Sequence, residues 1–329
     1  AVTIDTLQPP FSLDTLHSPA SELNITEYSI VNTYVPARAC MAGSSARAAA
    51  PILPTVVFVF LLLLPLSAVR HARAQETDSE AEFSYRSGRD NSPDRWGLLR
   101  SDWAACYWGR MQSPIRVPGA GRIAGPRNGR LARTYRSSPA TLVNRGHDIM
   151  VRFDGNAGSL VLDGVSYRLR QMHWHSPSEH ALNGSRYDLE LHMLHQSDKA
   201  SNKYAVVAQL FQIGEHRDEI LHMLEPFIER ITDRRQGHEE EIDYEVDPRR
   251  PVRGSDTFYR YTGSFTTPPC TEGIAWAVAT KVRHVSRHQV ELLRDAVHDH
   301  ARRNARPLQE ANGRGIALYY SWPRSGAGN

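Results

Sequence analysis

From Phe83 to Trp322 the chain is built of short apolar or alternating runs separated by turn signals. Turns are marked at Ser92-Pro93, Pro118-Gly119, Asp154-Gly155-Asn156, Asp163-Gly164 and Asn183-Gly184. Between them, residues 149–153, 159–162, 167–175, 188–194, 204–213 and 275–282 have the composition or the period-two alternation of strands. Two stretches follow a helical period instead. Glu215 to Arg230 places Ile220, Leu221, Leu224, Phe227 and Ile228 on one face. Ser286 to Arg303 does the same with Val290, Leu293 and Val297, and Ser286 is a suitable N-cap. The charged, Pro-containing segment from Thr232 to Gly254 reads as a long surface loop. No linker or internal repeat interrupts the series, so the pattern predicts one mainly β domain with a few surface helices.

The N-terminal region has a different texture. Met41 begins a pattern in which Arg47 precedes an apolar run from Val56 to Val69, followed by Ala72-Arg73-Ala74. A basic start, a short apolar run and an A-x-A site predict a secretory signal peptide over residues 41–74, with Gln75 as the mature start. The run is shorter than the roughly 20 residues needed to span a bilayer, so no membrane span is expected in the mature chain. Residues 1–40 read as an upstream leader, expected to be disordered, and residues 75–329 as the functional domain.

Of the cysteines, Cys40 precedes the signal segment and would be lost with it, which leaves Cys106 and Cys270. An even pair in a chain bound for an oxidising compartment predicts a Cys106–Cys270 disulfide. Asn183-Gly184-Ser185 is a glycosylation sequon in a polar turn, consistent with the same route. The formal net charge is only +3 in 329 residues. The arginine pairs 234–235 and 249–250 sit among acids, and no basic stripe with interleaved aromatics occurs, so nucleic acid is an unsuitable partner.

The chemistry concentrates in His173-Trp174-His175 and Glu190-Leu191-His192. On a strand, residues i and i+2 share a face, so His173 and His175 project side by side. A neighbouring strand could bring His192 to the same point. Zinc on three nitrogens keeps a position open for water and lowers that water's pKa to about 7. Gln171 and Glu190 each lie two residues before a histidine, on its face, and suit the hydrogen bonds that orient ligand imidazoles. In Ser264-Phe265-Thr266-Thr267-Pro268-Pro269-Cys270, two prolines restrict the backbone and could hold the Thr266 hydroxyl for a hydrogen-bond relay to Glu179.

These motifs resemble the α-class carbonic anhydrases, most closely the secreted plant and algal members. The resemblance runs from Tyr85 to Pro323 and rests on Gln112-Ser113-Pro114-Ile115, Gln171-Met172-His173-Trp174-His175, Ser178-Glu179-His180, Glu190-Leu191-His192 and the Gly263–Pro269 run. It implies a single domain on a large central, mostly antiparallel twisted β-sheet. It also implies zinc-dependent reversible hydration of carbon dioxide by zinc-bound hydroxide, with His173, His175 and His192 as ligands. By the same resemblance Thr266 is the gatekeeper and Glu179 its carboxylate, and the carbonyl of Asn304 holds the remaining ligand. His147 is the proton shuttle and Tyr85 belongs to its water network. Val206, Leu194, Phe265, Ile274 and Trp276 form the apolar wall for carbon dioxide, and Thr267 contacts bicarbonate.

Arg145 and Met150 stand where animal members carry amides that order the shuttle waters, so Arg145 is expected to add positive charge beside His147. Two other classes fit parts of the pattern. His173-x-His175-x-x-x-Glu179 also matches a first cupin metal motif, but Gly184 follows too soon and no second motif occurs. A storage or binding protein of the same fold is the other alternative, although the ligand set and the Thr266–Glu179 pair are intact. The oligomeric state is not legible in the sequence.

Overall fold

The computed structural model describes residues 83–118, 129–232, 238–298 and 301–321. The leader and the signal segment lie outside the described residues, which all belong to one compact unit. Helices α1 (Trp96–Leu99) and α2 (Ala105–Trp108) come first, followed by strands β1 (Arg116–Val117), β2 (Gly129–Arg133), β3 (Ala140–Asn144) and β4 (Ile149–Phe153). Next are β5 (Ser159–Leu162), β6 (Val165–His175), β7 (Ala181–Leu182), β8 (Leu189–Ser197) and β9 (Tyr204–Ile213). Helix α3 (Glu219–Ile231) and strands β10 (His238–Glu241), β11 (Thr257–Ser264), β12 (Glu272–Ala279) and β13 (Arg283–Val285) follow, then α4 (Arg287–Ala296) and β14 (Ala317–Ser321).

One mixed sheet runs β10-β3-β4-β6-β5-β2-β14-β11-β12-β9-β13, and β8 pairs with both β6 and β9. Most pairings are antiparallel; β9 with β12, β9 with β13 and β2 with β14 are parallel. The mainly β, mostly antiparallel architecture is thus the one the sequence implied.

The centre of the sheet is buried on both faces, and side-chain alternation sorts it into two chemistries. On β9, Ala205, Val207 and Phe211 enter the larger core together with Met172 and Trp174 of β6 and Leu191 and Met193 of β8. Helices α3 and α4 cap that face with Ile220, Leu224, Phe227, Val290 and Leu293. The alternate residues Val206, Ala208 and Leu210 pack with Leu194, Phe265, Ile274 and Trp276 on the other face. His173, His175 and His192 alternate out of the larger core and share that second face. Each large aliphatic buried in these clusters contributes roughly 1.5–3 kcal/mol.

Several boundaries differ from the sequence reading. Helix α3 starts at Glu219, because the Asp218 side chain accepts from the backbone N–H groups of Ile220 and Leu221. Helix α4 has the Ser286 cap but ends at Ala296, short of Arg303. The segment 232–254 is not all loop: His238–Glu241 pairs with β3, and Ile242 and Val246 are buried. Strands β2, β3, β11, β13 and β14 lay outside the stretches the pattern had marked.

Candidate metal centre

Strand register assembles the site. His173 of β6 lies directly opposite His192 of β8, and His175 lies opposite Glu190. A slip of one residue in either strand would turn that strand's histidines to the face opposite its partner's and break up the trio. Ring centroids are 5.0 Å apart for His173–His175, 5.2 Å for His173–His192 and 4.6 Å for His175–His192. One nitrogen from each ring lies within 4.8 Å of the others, and all three residues are buried.

A separate partner holds each ring by its other nitrogen. His173 Nδ1 is 2.8 Å from Gln171 Oε1, His175 Nδ1 is 2.7 Å from the Asn304 carbonyl, and His192 Nε2 is 2.9 Å from Glu190 Oε1. These acceptors require N–H on the named nitrogens. The buried His175 Nε2 and His192 Nδ1 then have no hydrogen-bond partner. Burial holds His173 well below and His192 below the ordinary imidazole range. Burial, the largest influence, opposes charge on His175, but Glu179, Asp148, the Asn304 carbonyl and Glu190 together outweigh it and raise that ring. The two orphaned nitrogens, of His175 and His192, lie within 4.8 Å of a nitrogen of His173, and a cation that takes nitrogen ligands, zinc above all, fits that trio. The alternative grouping of His180, Glu190 and His192 is already joined by hydrogen bonds of 2.6 and 2.9 Å.

The supporting network extends further than the sequence reading. The Glu190 carboxylate also accepts from the backbone N–H and Nδ1 of His180, at 2.7 and 2.6 Å. Burial alone would raise its pKa, yet His180 and His192 hold it well below the carboxylate range. His180 Nε2 lies 2.7 Å from the Tyr261 hydroxyl, which is 2.8 Å from Ser113 Oγ. Ser113 in turn bonds Ser264, at the start of the Thr266 loop. Arg306 was also missed: its guanidinium bonds Gln112 Oε1 and the carbonyls of Ser113 and Cys106, and its backbone N–H donates to Glu179 Oε1 at 2.8 Å. His180 and Ser113 stand inside recognised motifs and Arg306 lies two residues after Asn304, but only the fold shows what they touch.

Thr266 and Thr267 are buried and their hydroxyls have no partner. Glu179 Oε2 is likewise orphaned, 3.7 Å from His175 Nε2, and no hydrogen bond joins it to Thr266. Val206, Leu194, Phe265, Ile274 and Trp276 share one buried cluster, and the Trp276 ring packs 4.9 Å from that of His192. His147 lies in the β3–β4 turn against Phe83, with Nε2 3.6 Å from Asp148 Oδ2 and neither ring nitrogen hydrogen-bonded. Burial pushes its pKa down to about 4. Arg145 does not leave a loose positive charge there. It is buried and forms a two-point pair with Asp148, at 2.7 and 2.5 Å. Met150 is buried, in register with His173. Tyr85 stacks edge-on with Phe83 and Trp96, and Asn183 sits exposed in its turn. The Cys106–Cys270 disulfide is formed.

A family profile described as eukaryotic-type carbonic anhydrase matches residues 91–320. The chain belongs to this carbonic anhydrase family. Alpha carbonic anhydrase 7 of Arabidopsis thaliana is 46% identical over 244 residues, covering 74% of this chain and 87% of that protein. Among solved structures, dioscorin complexed with ascorbate superposes with a TM-score of 0.68 at 44% identity, covering 74% of this chain and 99% of dioscorin. The Thermovibrio ammonificans α-carbonic anhydrase in complex with the inhibitor sulfanilamide gives a TM-score of 0.63 at 31% identity, covering 71% and 97%. The cupin alternative falls away with this assignment.

Proposed function

We propose that this carbonic anhydrase catalyses the reversible hydration of carbon dioxide at a zinc ion held by His173, His175 and His192. The convergence of the three buried rings, each held from behind, carries the reading. Zinc bound by three imidazoles supplies a water acidified to about pKa 7, a nucleophile at neutral pH. Gln171, the Asn304 carbonyl and Glu190 fix the tautomers that turn the correct nitrogens to the metal. The Thr266 hydroxyl orients the attacking oxygen and Glu179 takes up the hydroxyl's proton in a hydrogen bond. Both have a buried oxygen available for that role. Leu194, Val206, Phe265, Ile274 and Trp276 provide a dry wall for an apolar substrate, and Thr267 contacts the bicarbonate. His147 stands at the shuttle position, with Tyr85 in the surrounding network, but its low pKa makes it a slow acceptor of the released proton, so external buffer carries much of the transfer.

The test is stopped-flow carbon dioxide hydration with bound metal measured on the same sample. Turnover should be blocked by a sulfonamide, and His192→Ala should lose both zinc and activity. Full turnover in His192→Ala would falsify the site assignment. The alternative of a binding protein receives some support from the likeness to dioscorin, whose solved structure is a complex with ascorbate; zinc-replete protein without turnover would favour it.

We further propose that the chain enters the secretory route through residues 41–74 and carries a glycan on Asn183. The Cys106–Cys270 bridge and the exposed sequon support this. Among the described residues, no helix is long and apolar enough to cross a membrane. Mass spectrometry should find Gln75 as the mature N-terminus, and an unprocessed chain would exclude the cleavage.

A further inference from the structure

The segments that orient His175 and Glu179 also form a wall of a cleft of about 570 Å³, through Pro177 and Ala305. Arg86, Arg186, Arg294, Arg302 and Arg303 line it against one carboxylate, Glu291. Glu291 is already engaged, by Arg294 at 2.8 Å and Arg302 at 3.6 Å, and Asp295 also pairs with Arg302. Arg86, Arg186 and Arg303 have no carboxylate within ion-pair distance among the described residues. Arg186 is half-buried; burial lowers its pKa, Glu179 and Glu190 oppose that from a distance, and the positive charges of Arg303 and Arg116 lower it further. Like charges gathered in a concave site repel one another unless an anion lies between them.

We propose that this cleft binds a small multivalent oxyanion, either a phosphate ester or a polycarboxylate. Guanidinium forks match the paired oxygens of both groups. The volume falls within the roughly 300–1,000 Å³ of small-molecule sites. None of the three rings lines the cleft, although Tyr85 of the proton network does, and its existence does not depend on the metal. It nonetheless touches the catalytic frame. Arg186 Nη2 donates to the Arg306 carbonyl, and Arg294 Nε donates to Ser176 Oγ at 3.0 Å. Substitution of those two would disturb the frame, so the exposed Arg86 and Arg303 are the positions to change.

Calorimetric titration of the full protein with pyrophosphate and, separately, citrate tests the site, with sulfanilamide saturating the ring cluster so that metal-bound anion does not contribute. Saturable one-to-one binding of at least one probe is expected. The Arg86→Ala/Arg303→Ala double variant should weaken it at least about tenfold, the loss of one or more charge-assisted hydrogen bonds. Lys203→Glu, on an exposed turn elsewhere, makes the same change in net charge and should leave binding unaltered. Both variants should keep carbon dioxide hydration at the parent rate. Binding of pyrophosphate alone assigns the phosphate class, and binding of citrate alone the polycarboxylate class. No saturable binding of either, or binding that survives the double variant or falls equally in Lys203→Glu, overturns the proposal.

Discussion

The residue with the most demanding environment is Glu190, a buried carboxylate that accepts three hydrogen bonds from two histidines. Behind it, the Tyr261 hydroxyl joins His180 to Ser113. Tyr261→Phe removes that joint and leaves buried polar atoms short of partners, which costs about 1–3 kcal/mol. Urea unfolding should register the loss, and chelator competition should show zinc affinity falling about 10–100-fold, as for other groups that support metal ligands. Unchanged zinc affinity would mean the network braces the fold and not the metal. His147 makes a second residue-scale prediction. At a pKa of about 4 the ring is neutral at pH 7 and a weak acceptor. A proton from a group near 7 climbs about 4 kcal/mol to reach it there. Added imidazole buffer should therefore raise turnover several-fold, and His147→Ala at saturating buffer should change it by less than about twofold. A buffer-independent rate that collapses in His147→Ala would contradict this.

Among the elements, the two main helices were legible because their apolar faces recur at helical spacing and their N-caps are polar. Their mutual fastening was not legible. Gln289 of α4 accepts from the Asp218 backbone N–H at 2.9 Å and donates to the Asp218 carbonyl at 3.0 Å, tying the two N-termini together. Asp218→Ala should cost about 1–2 kcal/mol through loss of the α3 cap, read as a lower urea midpoint. Strand β10 was illegible for a physical reason. It is a charged strand at the sheet edge, His-Glu-Glu-Glu, which gains backbone pairing with β3 and the two-point Arg152–Glu239 contact but little apolar burial. Edge strands of this kind lack a hydrophobic signature and are protected from edge-to-edge pairing by their charge. In β11 the aromatic signal of Phe258, Tyr259 and Tyr261 is diluted by Arg260, Thr262 and Gly263, yet its partners bury it.

At the scale of the whole molecule, the Cys106–Cys270 bridge closes a loop of 164 residues and joins the α1–α2 region to the Thr266 loop. Replacing both cysteines by serine should destabilise the fold by about 2–5 kcal/mol, measured by denaturant unfolding under matched conditions. The larger core also contains a polar pair: His195 Nδ1 donates to the Ala205 carbonyl, and Nε2 lies 2.8 Å from the Tyr135 hydroxyl. Burial lowers the His195 pKa to about 3, against 6.5 for the free side chain. The folded state therefore leaves this ring neutral where the unfolded chain protonates it. Stability from this group is complete above pH 6.5 and is lost as pH falls towards 3. At pH 5 the loss is about 2 kcal/mol, and His195→Leu should remove that part of the acid sensitivity. Parallel pH slopes for parent and variant would refute it.

Composition, turn signals and alternation determined on their own that the domain is mainly β and that His173 and His175 share a face, because the period of a strand is local geometry. The motifs carried the resemblance to the family, and an even cysteine pair in a chain expected to be secreted pointed to the bridge. Only the tertiary structure decided that His192 meets those two rings, since a pairing register is a property of two strands. It alone decided that Arg145 is neutralised by Asp148, that His180 and Tyr261 stand behind the metal site, and that five arginines converge on one cleft. Those outcomes depend on side chains far apart in sequence sharing the same buried space, and local pattern carries no record of such distances.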